Sequence, residues 1–225
     1  MPRFTRHLAP LIAVLVMIGC SSALRWAPEY YVVQGGDTIY SIAFRYGIDQ
    51  RDLLAWNRID NASLIRPGQR LRLSAPGGST AGSVSTPPPS APRAPPADRP
   101  VQSVGWRWPT DGKVIASYGA SAKTQSGIQI GGKRGQSVRA ASGGQVVYAG
   151  SGLPGYGQLL IIKHNNDYLS AYGHNDRLLV TEGATVKRGQ PIARMGLGPG
   201  RRPLLHFEIR RRGQPVDPIP FLPSR

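Results

Sequence analysis

Residues 75–104, APGGSTAGSVSTPPPSAPRAPPADRPVQSV, prevent the chain from folding as one continuous unit. They hold Pro, Ser, Ala and Gly with almost no large apolar side chain. Ordering a residue costs roughly 1–2 kcal/mol of backbone entropy, and this stretch has little to bury in return. It is expected to be an extended or disordered tether. Periodic segments flank it on both sides, and each must build a core of its own. A length of 225 residues with 40% hydrophobic content suffices for one ordinary domain and one small one. No internal repeat is present.

The amino terminus, MPRFTRHLAPLIAVLVMIGC, reads as an address. Arg3 and Arg6 precede an apolar run from Leu8 to Ile18, which is shorter than the ~20 residues a spanning helix needs. It fits a cleaved secretory signal over 1–19. One cysteine excludes an internal disulfide and a Cys-rich metal site, and that cysteine, Cys20, directly follows the run. Gly19-Cys20 resembles a bacterial lipobox, although Met17 and Ile18 depart from its usual residues. The resemblance implies lipidation of Cys20, with 20–29 as the lipidated amino terminus. Several acyl chains together anchor stably where one holds marginally. Ser21 after the cysteine implies the outer membrane, facing the periplasm.

Residues 30–74 read as β-α-α-β. Tyr30–Val33 is a short strand, and Gly35-Gly36-Asp37-Thr38 is a turn and helix start. Ile39, Ile42, Ala43 and Tyr46 then fall on one helical face, and Gly47 is a stop. Asp49 caps a second helix running to Asn57, and Leu71–Leu73 closes the unit after the turn Arg66-Pro67-Gly68-Gln69. About 45 residues is marginal for an independent fold. The segment 105–225 instead holds short β-rich runs between Gly turns: Lys113–Ala116, Gln145–Ala149, Leu159–Lys163, Tyr168–Tyr172, Ile192–Met195 and Leu205–Ile209.

The formal charge is +16, from 28 Lys and Arg against 12 Asp and Glu. Such a balance draws acidic partners. The basic residues of the second segment are scattered and lack the aromatic interleaving of single-strand nucleic acid binders. No nucleic acid partner is expected.

The stretches YVVQGGDTIYSIAFRYG, LLAWN and LIRPGQRLRL closely resemble a LysM module across 30–74. Such modules bind glycans containing N-acetylglucosamine. The resemblance implies a groove between Gly36, Asp37, Thr38 and Ile39 on one side and Leu64, Ile65 and Pro67 on the other. The stretches SGIQIGGKRGQSVRAASGGQVVYAG, YGQLLIIKHNNDYLSAYGHND, VKRGQPIARMG and LLHFEIR resemble the lysostaphin-like (LytM) peptidases across 105–225. The implied architecture is multidomain: a small βααβ LysM module, a Pro-rich linker over 75–104, and a mainly-β LytM domain of the duplicated-hybrid-motif type.

Active LytM peptidases hold zinc through the His and Asp of H-x-G-x-D and the second His of H-x-H, with two further His assisting the attacking water. A hydrolytic zinc needs three protein ligands and one open position. Around Gly127 this chain has Gln125 for the His and Gln129 for the Asp. In Leu204-Leu205-His206 only the last His remains, and Leu204 replaces an assisting His. His174 keeps the other assisting position. The remaining two His are His7, in the signal, and His164, which reads as a hydrogen-bonded structural residue. Residues 119–130 contain no His, Asp or Glu, so no shift of register rebuilds the site. No metal, no cofactor and no peptidase activity are expected.

A lipid anchor, a LysM module, a tether and a LytM domain without its ligand set together resemble the NlpD-like murein hydrolase activators. That resemblance implies a protein that binds peptidoglycan and activates a periplasmic N-acetylmuramoyl-L-alanine amidase at the division septum. Gln125, Gln129, His174, Leu204 and His206 would form the groove that holds the partner. Two other readings stay open at this level: a structural wall tether using the basic surface, and an active endopeptidase using an unrecognised site.

Overall fold

The computed structural model describes residues 28–76, 104–120 and 126–225. The signal, Cys20, most of the Pro-rich linker and Gln125 lie outside the described residues.

The first unit has the expected order. Strand β1 (Tyr30–Val32) pairs antiparallel with β2 (Arg70–Arg72), and α1 (Ile39–Tyr46) and α2 (Gln50–Asn57) lie between them in sequence. Thr38 caps α1 through a reciprocal box with Ser41, each side chain accepting from the other residue's backbone N–H. Gly47 ends the helix at φ 65°, a left-handed conformation that costs glycine nothing. Asp49 caps α2 by accepting from the Arg51 backbone N–H. Ile39, Ile42, Ala43, Leu53 and Leu71 form the core between helices and hairpin.

The second unit is one large antiparallel sheet. Its strands are β3 (Val114–Ala116), β4 (Ile128–Gly131), β5 (Ser137–Arg139), β6 (Gly144–Gly150), β7 (Gln158–Lys163), β8 (Tyr168–Leu178), β9 (Thr185–Val186), β10 (Pro191–Met195), β11 (Leu204–Arg211) and β12 (Gln214–Val216). The main path runs β3-β4-β11-β8-β7-β6-β9, with β10 joining β5 to β8 and β12 flanking β11. Strand β8 continues past Tyr172 to Leu178, where it changes partner from β7 and β11 to β10.

Alternation along each strand sends side chains to opposite faces. On β11, Leu205, Phe207 and Ile209 enter the main core with Ile128, Ile130, Leu160, Ile162 and Tyr172. On β7, both sets are apolar: Leu160 and Ile162 face that core, while Leu159 and Ile161 belong to a second cluster. The second cluster is completed by Phe44 of α1, which is 2% exposed. The small unit therefore packs on the outer face of the sheet, and Phe44 is buried by the sheet and not by its own unit. Further bonds cross the boundary. Arg45 donates to the Gly152 carbonyl at 3.2 Å, Thr38 to the Val147 carbonyl at 3.3 Å, and Gln214 to the Gly47 carbonyl.

Candidate functional site

Of the residues that the resemblance sets at the peptidase ligand positions, Gln129 and His206 lie among the described residues, and they meet on adjacent strands. His206 of β11 stands directly opposite Gln129 of β4 and opposite Gly173 of β8. His174 follows Gly173, held at φ 61° by two backbone bonds: its N–H donates to Tyr156 and its carbonyl accepts from Gly196, both at 2.8 Å. The His174 and His206 rings lie edge to face with centroids 6.2 Å apart. Ser126, Gln129, Pro154, Gly155, Tyr156, His174, Pro199 and His206 line an open cleft of about 360 Å3.

Gly127, next to the cleft-lining Ser126, lies tightly against β11. A Cβ on Gly127 would lie 2.3 Å from the Phe207 carbonyl oxygen and 2.7 Å from the Glu208 side chain. The residue that anchors the alignment is thus fixed by the close approach of β4 to β11.

Leu204 departs from expectation. It shares a face with His206 but does not line the cleft. It is 1% exposed, and the 197–203 loop closes over it so tightly that a Cβ on Gly198 would sit 2.7 Å from its side chain. An apolar side chain next to a polar cleft is stabilised by that cover, and so Leu204 belongs to the wall behind the cleft.

Behind His206 is a buried polar network that the sequence reading did not single out. The His206 Nε2 shares a hydrogen bond with Glu208 Oε1 at 2.9 Å. Glu208 is fully buried and also accepts from the Tyr156 hydroxyl at 2.8 Å and from Arg210 Nε at 2.8 Å. Burial pushes the Glu208 carboxyl up, but Arg210 and His206 outweigh it and leave it below its usual range. The Tyr156 hydroxyl is raised by burial and by the adjacent Glu208 charge. Burial and the neighbouring His206 lower His174 to about 4, so its imidazole is neutral at neutral pH. The signal for this network was present: His206, Glu208 and Arg210 alternate with the apolar Phe207 and Ile209 in β11, placing three ionisable groups on one face.

The donor set does not suit a hydrolytic zinc. Gln129 offers a neutral amide where a carboxylate would neutralise the metal, and Glu208 is engaged by Arg210, Tyr156 and His206. Among the described residues, no three His, Cys, Asp or Glu side chains come together as a metal group. His164, by contrast, is a structural residue. Its Nδ1 bonds the Gly143 carbonyl at 2.8 Å and its Nε2 the Ser170 hydroxyl at 2.7 Å, and burial lowers it to about 4.

On the small unit, Asp37, Thr38 and Ile65 of the expected glycan groove line a common cavity, together with Tyr40, Asn61 and Ala62. Ile39 does not reach it. Its side chain is fully buried in the core. Gly36, Leu64 and Pro67 lie outside the cavity lining, and Leu64 is 66% exposed.

Residues 31–74 match the LysM domain family, and residues 123–218 match Peptidase family M23. The lipoprotein NlpD/LppB homolog of Pseudomonas aeruginosa is 44% identical over 236 residues, covering 87% of this chain and 77% of that protein. The murein hydrolase activator NlpD of Salmonella typhimurium is 37% identical over 257 residues, covering 87% of this chain and 68% of that protein. Among solved structures, a zinc-containing peptidase from Vibrio cholerae aligns with a TM-score of 0.46 and 31% identity, over 51% of this chain and 39% of that one. The two lipoprotein relatives and the two domain matches show that the chain belongs to the NlpD/LppB family of lipoproteins, with a LysM module preceding an M23 (LytM) domain along this chain.

Proposed function

We propose that this chain is an outer-membrane lipoprotein that binds peptidoglycan and activates a periplasmic N-acetylmuramoyl-L-alanine amidase in septal wall splitting, without cutting the wall itself. The observation that carries the proposal is the pairing of Gln129 with His206 in an open cleft. A neutral amide faces His206 in that cleft, where the resemblance to the LytM peptidases implies a carboxylate. The relative from Salmonella typhimurium is named for activation of murein hydrolases, which supports the same direction.

The cleft offers a neutral amide, a neutral imidazole and the Tyr156 and Pro154 surfaces, a mixture suited to holding a peptide segment. An amidase whose active site is closed by one of its own segments would be shifted toward its open state when the cleft holds that segment. The shift cannot exceed the difference in binding free energy between the two states, about tenfold for each 1.4 kcal/mol. The LysM module would place the reaction on the wall, and the lipid anchor with its tether would raise the local concentration.

The test mixes the purified protein, a periplasmic amidase and dye-labelled peptidoglycan. Dye release well above that from the amidase alone is expected. Release equal to the amidase alone, or release by this protein without the amidase, would remove the proposal.

A further inference from the structure

The LysM groove is closed on one side by the large sheet. The Thr38 hydroxyl donates to the Val147 carbonyl of β6 at 3.3 Å, and beside this contact lies a cavity of about 400 Å3. Asp37, Thr38 and Ile65 line it from the small unit, and Gln145, Val147 and Glu182 from the sheet. We propose that this cavity is a composite glycan site, in which β6 and the turn at 181–184 supply the second wall of the LysM groove and hold a neutral N-acetylhexosamine unit. The inference rests on the LysM module being a glycan binder and adds to it residues of the LytM domain.

Charge decides which ligand fits. The chain carries +16, yet no Lys or Arg lines this cavity, and its ionisable lining includes the carboxylates Asp37 and Glu182. A phosphate, an anionic lipid or a nucleic acid would meet like charge there. A sugar bearing hydroxyl and acetamido groups would not. Asp37 is committed to the loop, accepting from the Tyr31 hydroxyl at 2.6 Å and the Gln34 backbone N–H at 2.9 Å.

Glu182 and Gln145 are the exposed polar arms of the sheet side. A carboxylate accepts from sugar hydroxyls, and a carboxamide both donates and accepts. Gln145 also donates to the Gly183 carbonyl at 3.4 Å, a long bond that ties the two arms together. Ile65 and Val147 offer apolar surface for the acetamido methyl, and the volume lies within the roughly 300–1,000 Å3 usual for small-molecule sites.

The test is calorimetric titration of the full chain with tetra-N-acetylchitotetraose. The double variant Gln145→Ala/Glu182→Ala should bind about tenfold more weakly, the loss expected for one or two hydrogen bonds. Both residues are exposed, so its melting temperature should match the wild type. The isosteric Glu182→Gln should weaken binding in the same direction by a smaller factor. Equal affinity in the double variant would overturn the composite site and leave the LysM assignment standing. No saccharide binding by the wild-type chain would overturn both.

Discussion

Arg210 of β11 donates through Nη1 to the backbone carbonyl of Phe44 in α1 at 2.6 Å, and its guanidinium carbon lies 3.4 Å from the Phe44 ring centroid. The same guanidinium holds Glu208, which holds His206 in the cleft. One chain of contacts therefore links the LysM helix to the floor of the LytM site. The link is direct, through bonded atoms, so it can be cut at either end and read out separately.

Phe44 is the end to cut first. Burying a phenylalanine contributes ~1.5–3 kcal/mol, and here that burial exists only while the two units are docked. Phe44→Ser should shift the protein toward an undocked form that the 75–104 tether permits. Small-angle scattering should show a larger radius of gyration at unchanged secondary structure. An unchanged radius would mean that the polar contacts alone hold the units together.

Arg210→Ala cuts the other end with a different signature. It leaves the buried Glu208 carboxylate without its cation, and breaking such a pair costs ~3–5 kcal/mol. Urea unfolding of the sheet domain should show that loss, whereas Phe44→Ser should leave the sheet domain's midpoint nearly unchanged. The double replacement Glu208→Leu/Arg210→Met removes both charges and should recover most of the stability lost in Arg210→Ala.

Much of the architecture was legible because local rules governed it. Thr38, Gly47 and Asp49 announce helix ends in sequence and occupy them in the structure. Gln129 and His206, read from the resemblance as groove residues, do come together, because β4 and β11 pair so that position 129 meets position 206. Three features were not read. Leu204 was expected on the cleft floor, but burial depends on the 197–203 loop, whose cover no periodicity encodes. The Glu208–Arg210 network came from a spacing of two that is informative only once a strand is assigned. The docking of the units is a long-range packing choice. Its trace in sequence was Phe44, an aromatic off the apolar face of α1, together with the continuous apolar run of β7.

Acid should destabilise the protein in two stages. His164 and His174 titrate at about 4 in the folded chain against 6.5 for a free imidazole. Between those values the unfolded chain binds more protons, so stability falls as pH drops through this window and is complete above it. Glu208, held below its usual 4.5, adds a further loss as pH falls below that value. Melting temperature should be flat above pH 6.5 and decline below it. Imidazole resonances of His164 that titrate near 6.5 in the folded protein would contradict the assignment.

The cleft also allows a constructive test of the proposed replacement of zinc ligands. His206 is held through Nε2 by Glu208, as outer-shell carboxylates hold zinc-bound His, and the resemblance to the LytM peptidases implies that Gln125 and Gln129 stand at the other two ligand positions. Gln125→His/Gln129→Asp should therefore create zinc binding in a domain otherwise unchanged. The carboxylate introduced at position 129 would stand across from His206 in the present register, and the resemblance implies an imidazole at position 125 as the third ligand. Metal analysis after dialysis should find about one zinc per chain in the double variant and far less in the wild type or in either single variant. The double variant should also melt at a higher temperature with zinc than after chelation, because a ligand bound only by the folded state stabilises it. Wild-type and double-variant proteins with equal zinc content would show that more than the two side chains was lost from the site.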